Sequence, residues 1–390
     1  MRRASAVVAF LLGLSLLPLG GESPVSAGSR YTKRVTQIRK GLTYMRITDS
    51  RGPNRIKVLK IDPSTSLTMD VALANDELPG RETTSSMAAR HGAIAAVNGN
   101  FGNSWGRPLG LLGVDGSLKT SPLNPGGAFA LSQDEKTPHI GMANLSVVAS
   151  NLTSGRTWNV LDWNEQYPRE GGIAGYTSAG GSMVRPPGGT CAVRLVPRTS
   201  WLLWEPLKMG VGKTYRVDKV QCSGDRLRPA KGIVLAAKRG TKKAAALAEA
   251  RIGQLVRVAW STGWAGVMDA IGGSPVLMKD GQIVIEPCSA YVCGRHPRTA
   301  VGFTSTGKIL LVTVDGRRSD SVGMTVVQLA RLFKYLGAEA ALNLDGGGSA
   351  TMVLKGKVVN RPSDSGGERA VVSSLLVLPG PDEGEPQPKL

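Results

Sequence analysis

Residues 340–351 read AALNLDGGGSAT, an apolar run that ends in a carboxylate, three glycines and two hydroxyl side chains. The run Ala340–Leu344 has the length and composition of a buried strand, and a glycine-rich turn ends it. Consecutive glycines allow backbone N–H groups to approach a ligand closely and to surround an anionic oxygen. Asp345 stands at the strand end, so we predict that its carboxylate points into a cleft. The alternative is a tight turn that Asp345 caps.

An amphipathic helix is predicted directly before this strand. From Thr325 onward the apolar residues recur at i, i+3, i+4 and i+7, which places them on one face, and Gly337 fits the position after a helix C-terminus. Shorter helices are predicted at 83–91 and 241–252, and strand-like segments joined by glycine turns fill most of the remaining chain. The pattern predicts a strand-rich α+β fold, with a mixed, strongly curved β-sheet and flanking helices.

A second predicted strand ends in a similar way, at Val314-Asp315-Gly316-Arg317. Asp315 suits the role of an acid, a base or an acceptor for a sugar hydroxyl, and Arg317 could hold a phosphate through two parallel hydrogen bonds. The alternative is an internal Asp–Arg pair. Arg298, which follows a His-Pro pair, is a further candidate for phosphate binding.

The composition restricts the kind of partner. Lys and Arg number 48 against 29 Asp and Glu, which gives a formal net charge of +19 over 390 residues. Such a charge attracts polyanions. Aromatic residues make up only 5% of the chain, which argues against a base-stacking surface, so we predict no nucleic acid partner. Anionic cell-surface polymers are the predicted partners.

The start of the chain has the features of a secretory signal peptide. A basic start precedes the apolar run Ala6–Leu19, and small residues precede a predicted cleavage site after Ala27. No later run is apolar for the roughly 18 residues that a membrane span requires. We therefore predict a secreted protein without a transmembrane segment in the mature chain. Its predicted parts are a signal peptide (1–27), a loose basic arm (28–40), one domain (41–378) with a less typical middle region (140–265), and a disordered tail (379–390).

Four cysteines are present, an even number that suggests two disulfides in an exported protein. We favour the pairs Cys191–Cys222 and Cys288–Cys293, the second of which spans a short loop. The alternative is a zinc site held by all four thiolates, but the chain lacks the paired C-x2-C spacing that is typical of zinc ribbons.

Seven short motifs, taken in order, resemble the phosphodiester glycosidase family. Each motif is common by itself, but their order along the chain is specific, and the match is dense after residue 265. The motifs are Asn98-Gly99-Asn100-Phe101, Gly272-Gly273-Ser274-Pro275, Arg298-Thr299-Ala300-Val301-Gly302, Val314-Asp315-Gly316-Arg317, Val322-Gly323-Met324-Thr325, Leu342-Asn343-Leu344-Asp345-Gly346-Gly347-Gly348-Ser349 and Val359-Asn360-Arg361-Pro362.

The resemblance implies hydrolysis of the C1–O bond of a sugar-1-phosphodiester, of the N-acetylglucosamine-1-phosphodiester type, in a phosphate-bearing cell-surface or capsular glycan. The carboxylates predicted for catalysis are Asp315, Asp345 and Glu368. The residues predicted to bind phosphate or sugar are Asn98, Arg298, Arg317, Asn343, Gly346, Gly347, Gly348, Ser349, Thr351, Asn360 and Arg369.

Two other functions fit the residues. One is a non-catalytic cell-wall or polysaccharide-binding protein, and the other is a secreted metal-dependent phosphodiesterase. Phosphodiesterases of that kind assemble histidines and carboxylates around metals, and this chain has three scattered histidines. The sequence requires no cofactor and identifies no metal site, although oxygen ligands would suit Ca²⁺ or Mg²⁺.

Overall fold

The computed structural model describes residues 30–122, 126–166, 168–180, 189–198, 210, 212–223, 227–229 and 231–380. The predicted signal peptide and the predicted tail from residue 381 lie outside the described residues. Within the described part no helix is long and apolar enough to cross a membrane.

Strands dominate the described residues, at 47% against 11% helix. In chain order the first strands are β1 (Tyr31–Arg39), β2 (Leu42–Asp49), β3 (Asn54–Ile61), β4 (Thr68–Leu73), β5 (Glu82–Thr83), β6 (Ala95–Asn98), β7 (Leu112–Val114), β8 (Ser117–Thr120), β9 (Gly127–Ser132), β10 (Pro138–Met142), β11 (Ser146–Asn151), β12 (Thr157–Val160), β13 (Asp162–Trp163) and β14 (Ala174–Tyr176). They are followed by β15 (Thr190–Pro197), β16 (Lys213–Gln221), β17 (Ile233–Lys238), β18 (Leu255–Ser261), β19 (Val267–Gly273), β20 (Val276–Lys279), β21 (Gln282–Ile283), β22 (Arg298–Thr304), β23 (Ile309–Val314), β24 (Ala338–Asn343), β25 (Met352–Leu354), β26 (Lys357–Val358), β27 (Ala370–Val371) and β28 (Ser373–Leu378).

The α-helices are short: α1 (Thr84–Arg90), α2 (Lys242–Ala248), α3 (Ala290–Cys293) and α4 (Val326–Tyr335). Helix α4 begins at the N-cap Thr325, whose hydroxyl accepts from the N–H of Gln328, and it buries Leu329 and Phe333 against the sheet. The prediction of a strand-rich, curved sheet is therefore confirmed. The flanking helices are fewer and shorter than an α+β fold implies.

One eight-stranded sheet, in the order β1-β2-β3-β23-β22-β24-β20-β21, forms the centre of the fold, and we call it the main sheet. Helix α4 covers one face. The other face shares a hydrophobic core with the sheet β26-β25-β6-β28-β4 and with strands β9 and β19, so the strands curl around one interior into a nearly closed structure. Every strand pair of the main sheet is antiparallel, so the predicted mixed sheet is wrong for it, and the parallel pair β13–β14 lies in the sheet of the middle region.

The middle region forms a second eight-stranded sheet, β12-β11-β18-β16-β15-β17-β14-β13, with helix α2 packed on it. Its hydrophobic core, which it shares with residues of β8, β9 and β19, buries Trp158, Trp163 and Trp260. Both predicted disulfides are present. Cys191–Cys222 lies in the middle sheet, and Cys288–Cys293 closes the turn that contains α3.

The prediction of a loose arm at 28–40 is wrong for most of that segment. Tyr31–Arg39 forms strand β1, which pairs antiparallel with β2 at the edge of the main sheet. Its side chains are mostly exposed, and for that reason the sequence lacks the alternation of apolar residues that would have indicated a strand. Exposed basic residues are common on edge strands, where they discourage pairing with other molecules.

Candidate active site

The ends of β6, β22, β23 and β24 meet at one edge of the two sheets, and the adjoining loops surround a cleft of about 550 Å³. Backbone hydrogen bonds tie these loops together. The N–H of Asp345 donates to Gly99 O at 3.0 Å, and the N–H of Gly347 donates to Pro297 O at 2.9 Å. The cleft therefore has a fixed wall built from chain segments that are distant in sequence.

Asp345 is the one carboxylate among the described residues that line the cleft. Burial raises its pKa to about 6. Hydrogen bonds from the Ser349 hydroxyl and the Gly346 N–H favour the charged form and oppose that rise, as do the positive charges of Arg369 and Arg81. A carboxylate with this pKa is ionised near neutral pH and basic enough to accept a proton there.

The glycines after Asp345 allow a close approach that no other residue would permit. A Cβ on Gly346 would lie 2.6 Å from Pro297 O, and Gly347 has a φ of +59°. A Cβ on Gly348 would collide with the Arg369 guanidinium. Without side chains, this loop packs between two arginine-bearing segments and leaves the space in front of Asp345 open.

Arg298 is a buried cation in the cleft wall, 3% exposed. Its Nε donates to Met324 O at 2.8 Å, and its Nη2 donates to Val292 O at 2.8 Å and to Gly294 O. No described carboxylate offsets its burial, which lowers its pKa to about 10. A buried guanidinium held only by carbonyls has capacity left for an anionic ligand.

Three further arginines line the cleft. Arg317 has a φ of +60° and reaches Ser363 Oγ with Nη1 at 3.3 Å. Arg369 forms an ion pair with Asp364 at 2.7 Å. Arg81 donates from Nη2 to Asn103 O at 2.6 Å. Arg81 was not predicted from the sequence, because it stands outside every motif, and only the pairing of β5 with β27 brings it to the cleft.

Comparisons with known proteins agree with this geometry. Residues 210–378 match the family model described as phosphodiester glycosidase. The chain is 45% identical over 83 residues to the SPbeta prophage-derived uncharacterized protein YomE of Bacillus subtilis, which covers 21% of this chain and 13% of that protein. It is 32% identical over 108 residues to the N-acetylglucosamine-1-phosphodiester alpha-N-acetylglucosaminidase of Mus musculus, which covers 24% of this chain and 21% of that protein.

The resemblance to the phosphodiester glycosidase family is confirmed. The aligned parts span only 13% and 21% of the length of those two curated relatives. A solved structure of a hypothetical protein from Synechocystis superposes with a TM-score of 0.73 at 23% identity, covering 89% of this chain and 63% of that one, which shows a shared fold. The phosphodiester glycosidase match contains Asp345, Arg298 and Arg317, whereas Arg81 and Asn98 precede it.

Asp315, also within the phosphodiester glycosidase match, lies outside the cleft lining and is 1% exposed. Its Oδ1 accepts from the N–H of Arg361 at 2.9 Å, and its Oδ2 is 3.7 Å from Lys57 Nζ. Burial raises the pKa of Asp315 and lowers that of Lys57. The structure therefore places Asp315 in an internal ion pair with Lys57 instead of the Arg317 pair that the sequence suggested as an alternative.

Glu368 is likewise outside the cleft lining. Its Oε1 accepts from the N–H of Ser85 at 2.8 Å, and its Oε2 accepts from the Ser85 hydroxyl at 2.5 Å. These contacts hold the first turn of α1 against the segment before β27. Glu368 and Arg369 are neighbours in the sequence, but their side chains point in different directions. Arg369 faces the cleft, and Glu368 faces α1.

The predicted asparagines support the loops from beneath. Asn98 Nδ2 donates to Asp345 O at 2.7 Å, while its Oδ1 accepts from Thr299 Oγ1 at 2.7 Å and from the N–H of Thr351 at 3.0 Å. Asn343 Nδ2 donates to Ser274 O at 2.7 Å.

Asn360 clamps the hairpin after the glycine loop, since its Oδ1 accepts from the N–H of Met352 at 2.7 Å and its Nδ2 donates to Ala350 O at 2.9 Å. Asn98, Asn343, Asn360 and Thr351 are all buried and do not line the cleft.

The turn closed by Cys288–Cys293 forms another part of the cleft rim. It carries Tyr291, which is 75% exposed, and its carbonyls accept from Arg298. His296 follows the turn, and its Nε2 lies 2.8 Å from Tyr291 O.

A cluster of carboxylates that could ligate a metal occurs elsewhere. Oxygens of Asp70, Asp115 and Asp269 lie within 4.8 Å of one another, away from the residues that line the cleft. Burial and the neighbouring negative charges raise the pKa of Asp269 to about 8 and that of Asp70 to about 6. Oxygen donors of this kind suit hard cations such as Ca²⁺.

Proposed function

We propose that this chain hydrolyses the C1–O bond of a sugar-1-phosphodiester, of the N-acetylglucosamine-1-phosphodiester type. The observation that carries the proposal is the position of Asp345. It is the single carboxylate of the described cleft lining, it has a raised pKa, and it stands beside glycines and arginines that suit a phosphate. Phosphodiester glycosidase similarity over residues 210–378 supports the same reaction class.

In the proposed reaction, Asp345 accepts a proton from a water molecule as that water attacks C1 of the sugar. The new bond joins the water oxygen to C1, and the C1–O bond to the phosphate breaks. Its electron pair leaves with the phosphate monoester. General-base catalysis of this kind contributes about 10²- to 10⁴-fold to a rate.

The leaving group explains why one carboxylate would be sufficient. Most glycosidases need a second carboxylic acid to protonate a poor leaving group. A phosphate monoester has a second pKa of about 6, so it departs as an anion and needs charge stabilisation more than a proton. Arg298 and Arg317, next to the first two glycines of the loop, are proposed to supply that stabilisation.

The proposed setting is outside the cytoplasm, on a phosphate-bearing cell-surface or capsular glycan. Two disulfides are typical of proteins in oxidising compartments. The formal net charge of +19 would draw the protein to an anionic polymer.

The test is hydrolysis of the methyl phosphodiester of N-acetylglucosamine-1-phosphate in ¹⁸O-water, by the mature protein and by Asp345→Asn. We expect the label in the sugar hydroxyl and a roughly thousandfold loss of kcat in Asp345→Asn. Asp280→Asn is the matched control, because Asp280 is exposed in a hairpin turn with a φ of +50° that asparagine tolerates.

Label recovered in the phosphate would contradict the proposal and favour a metal-dependent phosphodiesterase. Tight binding without turnover would favour a polysaccharide-binding protein instead. Full activity of a folded Asp345→Asn variant would remove Asp345 from the mechanism.

A further inference from the structure

The charges that line the cleft exceed what one phosphodiester requires. Four arginines and one carboxylate line it among the described residues. Arg369 is already paired with Asp364, whereas Arg81, Arg298 and Arg317 have no described carboxylate within 4 Å. A single phosphodiester carries one negative charge. Together with Asp345 it would balance two of these three guanidinium groups and leave one without a counter-charge.

The arginines fall into two pairs on different sides of the glycine loop. Arg298 and Arg317 adjoin its first glycines, since a Cβ on Gly346 would lie 3.6 Å from Arg298 Cα and one on Gly347 would lie 3.1 Å from Arg317 Nη2. These two arginines form the first anion position.

Arg81 and Arg369 form the second pair. Strands β5 and β27 pair antiparallel with Thr83 opposite Ala370, and Arg81 and Arg369 directly precede these two strands. Arg81 Nη1 reaches Ala370 O at 3.5 Å, and the Arg369 guanidinium packs on Gly348. Both act electrostatically on Asp345. Asp345 is therefore close enough to this pair to feel its charge, and it lines the same cleft as Arg298 and Arg317.

We propose that Arg81 and Arg369 form a second anion subsite, so that the substrate carries two phosphodiesters on the sugar that is cleaved. One phosphodiester, at C1, is the bond that breaks and occupies the Arg298–Arg317 side. The other, on a different carbon of the same sugar, occupies the Arg81–Arg369 side. The substrate class is then a repeating sugar-phosphate polymer, cut within the chain. This inference rests on the proposed function and adds no reactant besides water.

The experiment compares two synthetic substrates. The first is the C1 methyl phosphodiester of N-acetylglucosamine, and the second carries an additional methyl phosphodiester at C6. At low salt we expect kcat/KM to be about tenfold higher for the second substrate, because an arginine–phosphate contact is a charge-assisted hydrogen bond. At 0.5 M salt the ratio of the two kcat/KM values should fall toward one, because salt screens exposed charges.

Three variants distinguish the subsites. Arg81→Gln is expected to bring the ratio of the two kcat/KM values close to one. Arg317→Gln is expected to lower both values and preserve the ratio. Arg331→Gln, on the exposed face of α4, is the matched control and leaves both values unchanged.

Equal kcat/KM for the two substrates in the wild type would overturn the second subsite, as would an unchanged ratio in Arg81→Gln. If neither substrate is hydrolysed, the proposed function fails. The second anion subsite is then tested by the binding affinities of the two compounds alone. In that case isothermal titration must show the compound with two phosphates binding about tenfold more tightly, with the difference lost in Arg81→Gln. Equal affinities would reject the subsite.

Discussion

Two aspartates in this molecule share a local sequence and differ in almost everything else. Asp315 follows β23 and Asp345 follows β24, with only β22 between these strands in the sheet, and each aspartate precedes a glycine. Asp345 lines the cleft, whereas Asp315 is buried beside Lys57. The same strand-to-turn signature therefore serves a candidate catalytic group in one place and an internal ion pair in the other.

The difference comes from what covers each strand end. Over Asp315, the backbone of Arg361 donates to one carboxylate oxygen and Lys57 from β3 approaches the other. Over Asp345, the next three residues are glycines, and the nearby arginines are held back by carbonyls and by Asp364. A carboxylate at a strand end becomes available for chemistry only where the segments around it have no side chain or partner to fill the space.

The largest change in stability is expected for Asp315, the buried one of the two aspartates. We expect Asp315→Ala to lower the free energy of unfolding by about 3 kcal/mol, because it leaves the Lys57 ammonium buried without a counter-charge. Urea unfolding at pH 7 measures the change. Asp345→Ala should not destabilise the fold at that pH. The pKa of Asp345 is raised in the folded state, so its ionisation costs stability as the pH rises from about 4 through about 6.

A double variant provides the control. Lys57→Met combined with Asp315→Ala removes both charges and should recover at least half of the lost stability. If the single Asp315→Ala variant is as stable as the wild type, the ion pair is not what distinguishes the two aspartates.

The elements near Asp345 were predictable because local and tertiary signals agree there. The apolar spacing from Thr325 and the glycine at 337 fix α4, and the observed helix Val326–Tyr335 follows them. The short spacing of Cys288 and Cys293 likewise led to the observed pair. In contrast, β1 was missed because its strand character depends on pairing with β2, and its exposed side chains carry no apolar pattern.

The sequence predicted which loops meet at the site better than it predicted what each side chain does there. Sequence order indicated that Asp345, Arg298, Arg317 and Arg369 belong together, and all four line the cleft. It could not show that Asn98 turns inward to hold the Asp345 carbonyl, since the direction of a side chain depends on contacts made across the fold.

The pH dependence of kcat/KM tests whether Asp345 accepts the proton. If ionised Asp345 accepts the proton, kcat/KM should rise about tenfold per pH unit below its pKa of about 6 and level off above it. Rates between pH 4 and 8 measure this limb. Arg369→Gln removes a nearby positive charge that favours the ionised carboxylate, so the limb should move to higher pH. A rate that falls above pH 6 would instead make Asp345 a proton donor.

The smallest expected effect concerns the wall that keeps the Asp345 side open. The Cys288–Cys293 turn supplies the carbonyls of Val292 and Gly294 that hold Arg298. Replacing both cysteines by serine should lower kcat/KM about fivefold, through a higher KM and a lower kcat, because Arg298 both binds the phosphate and stabilises it as it leaves, and it loses its fixed position.

The other disulfide is the matched control for this change. Cys191–Cys222 lies in the middle sheet and joins residues 31 positions apart, against 5 for Cys288–Cys293. Closing a longer loop stabilises a fold more, so serines at 191 and 222 should lower Tm more than serines at 288 and 293, yet leave KM unchanged. Equal effects of the two pairs on KM would mean that the turn stabilises the fold in general and does not position Arg298. A rise in KM for serines at 288 and 293 alone would show that the cleft wall beside Asp345 is held in place by residues that never touch the reacting atoms.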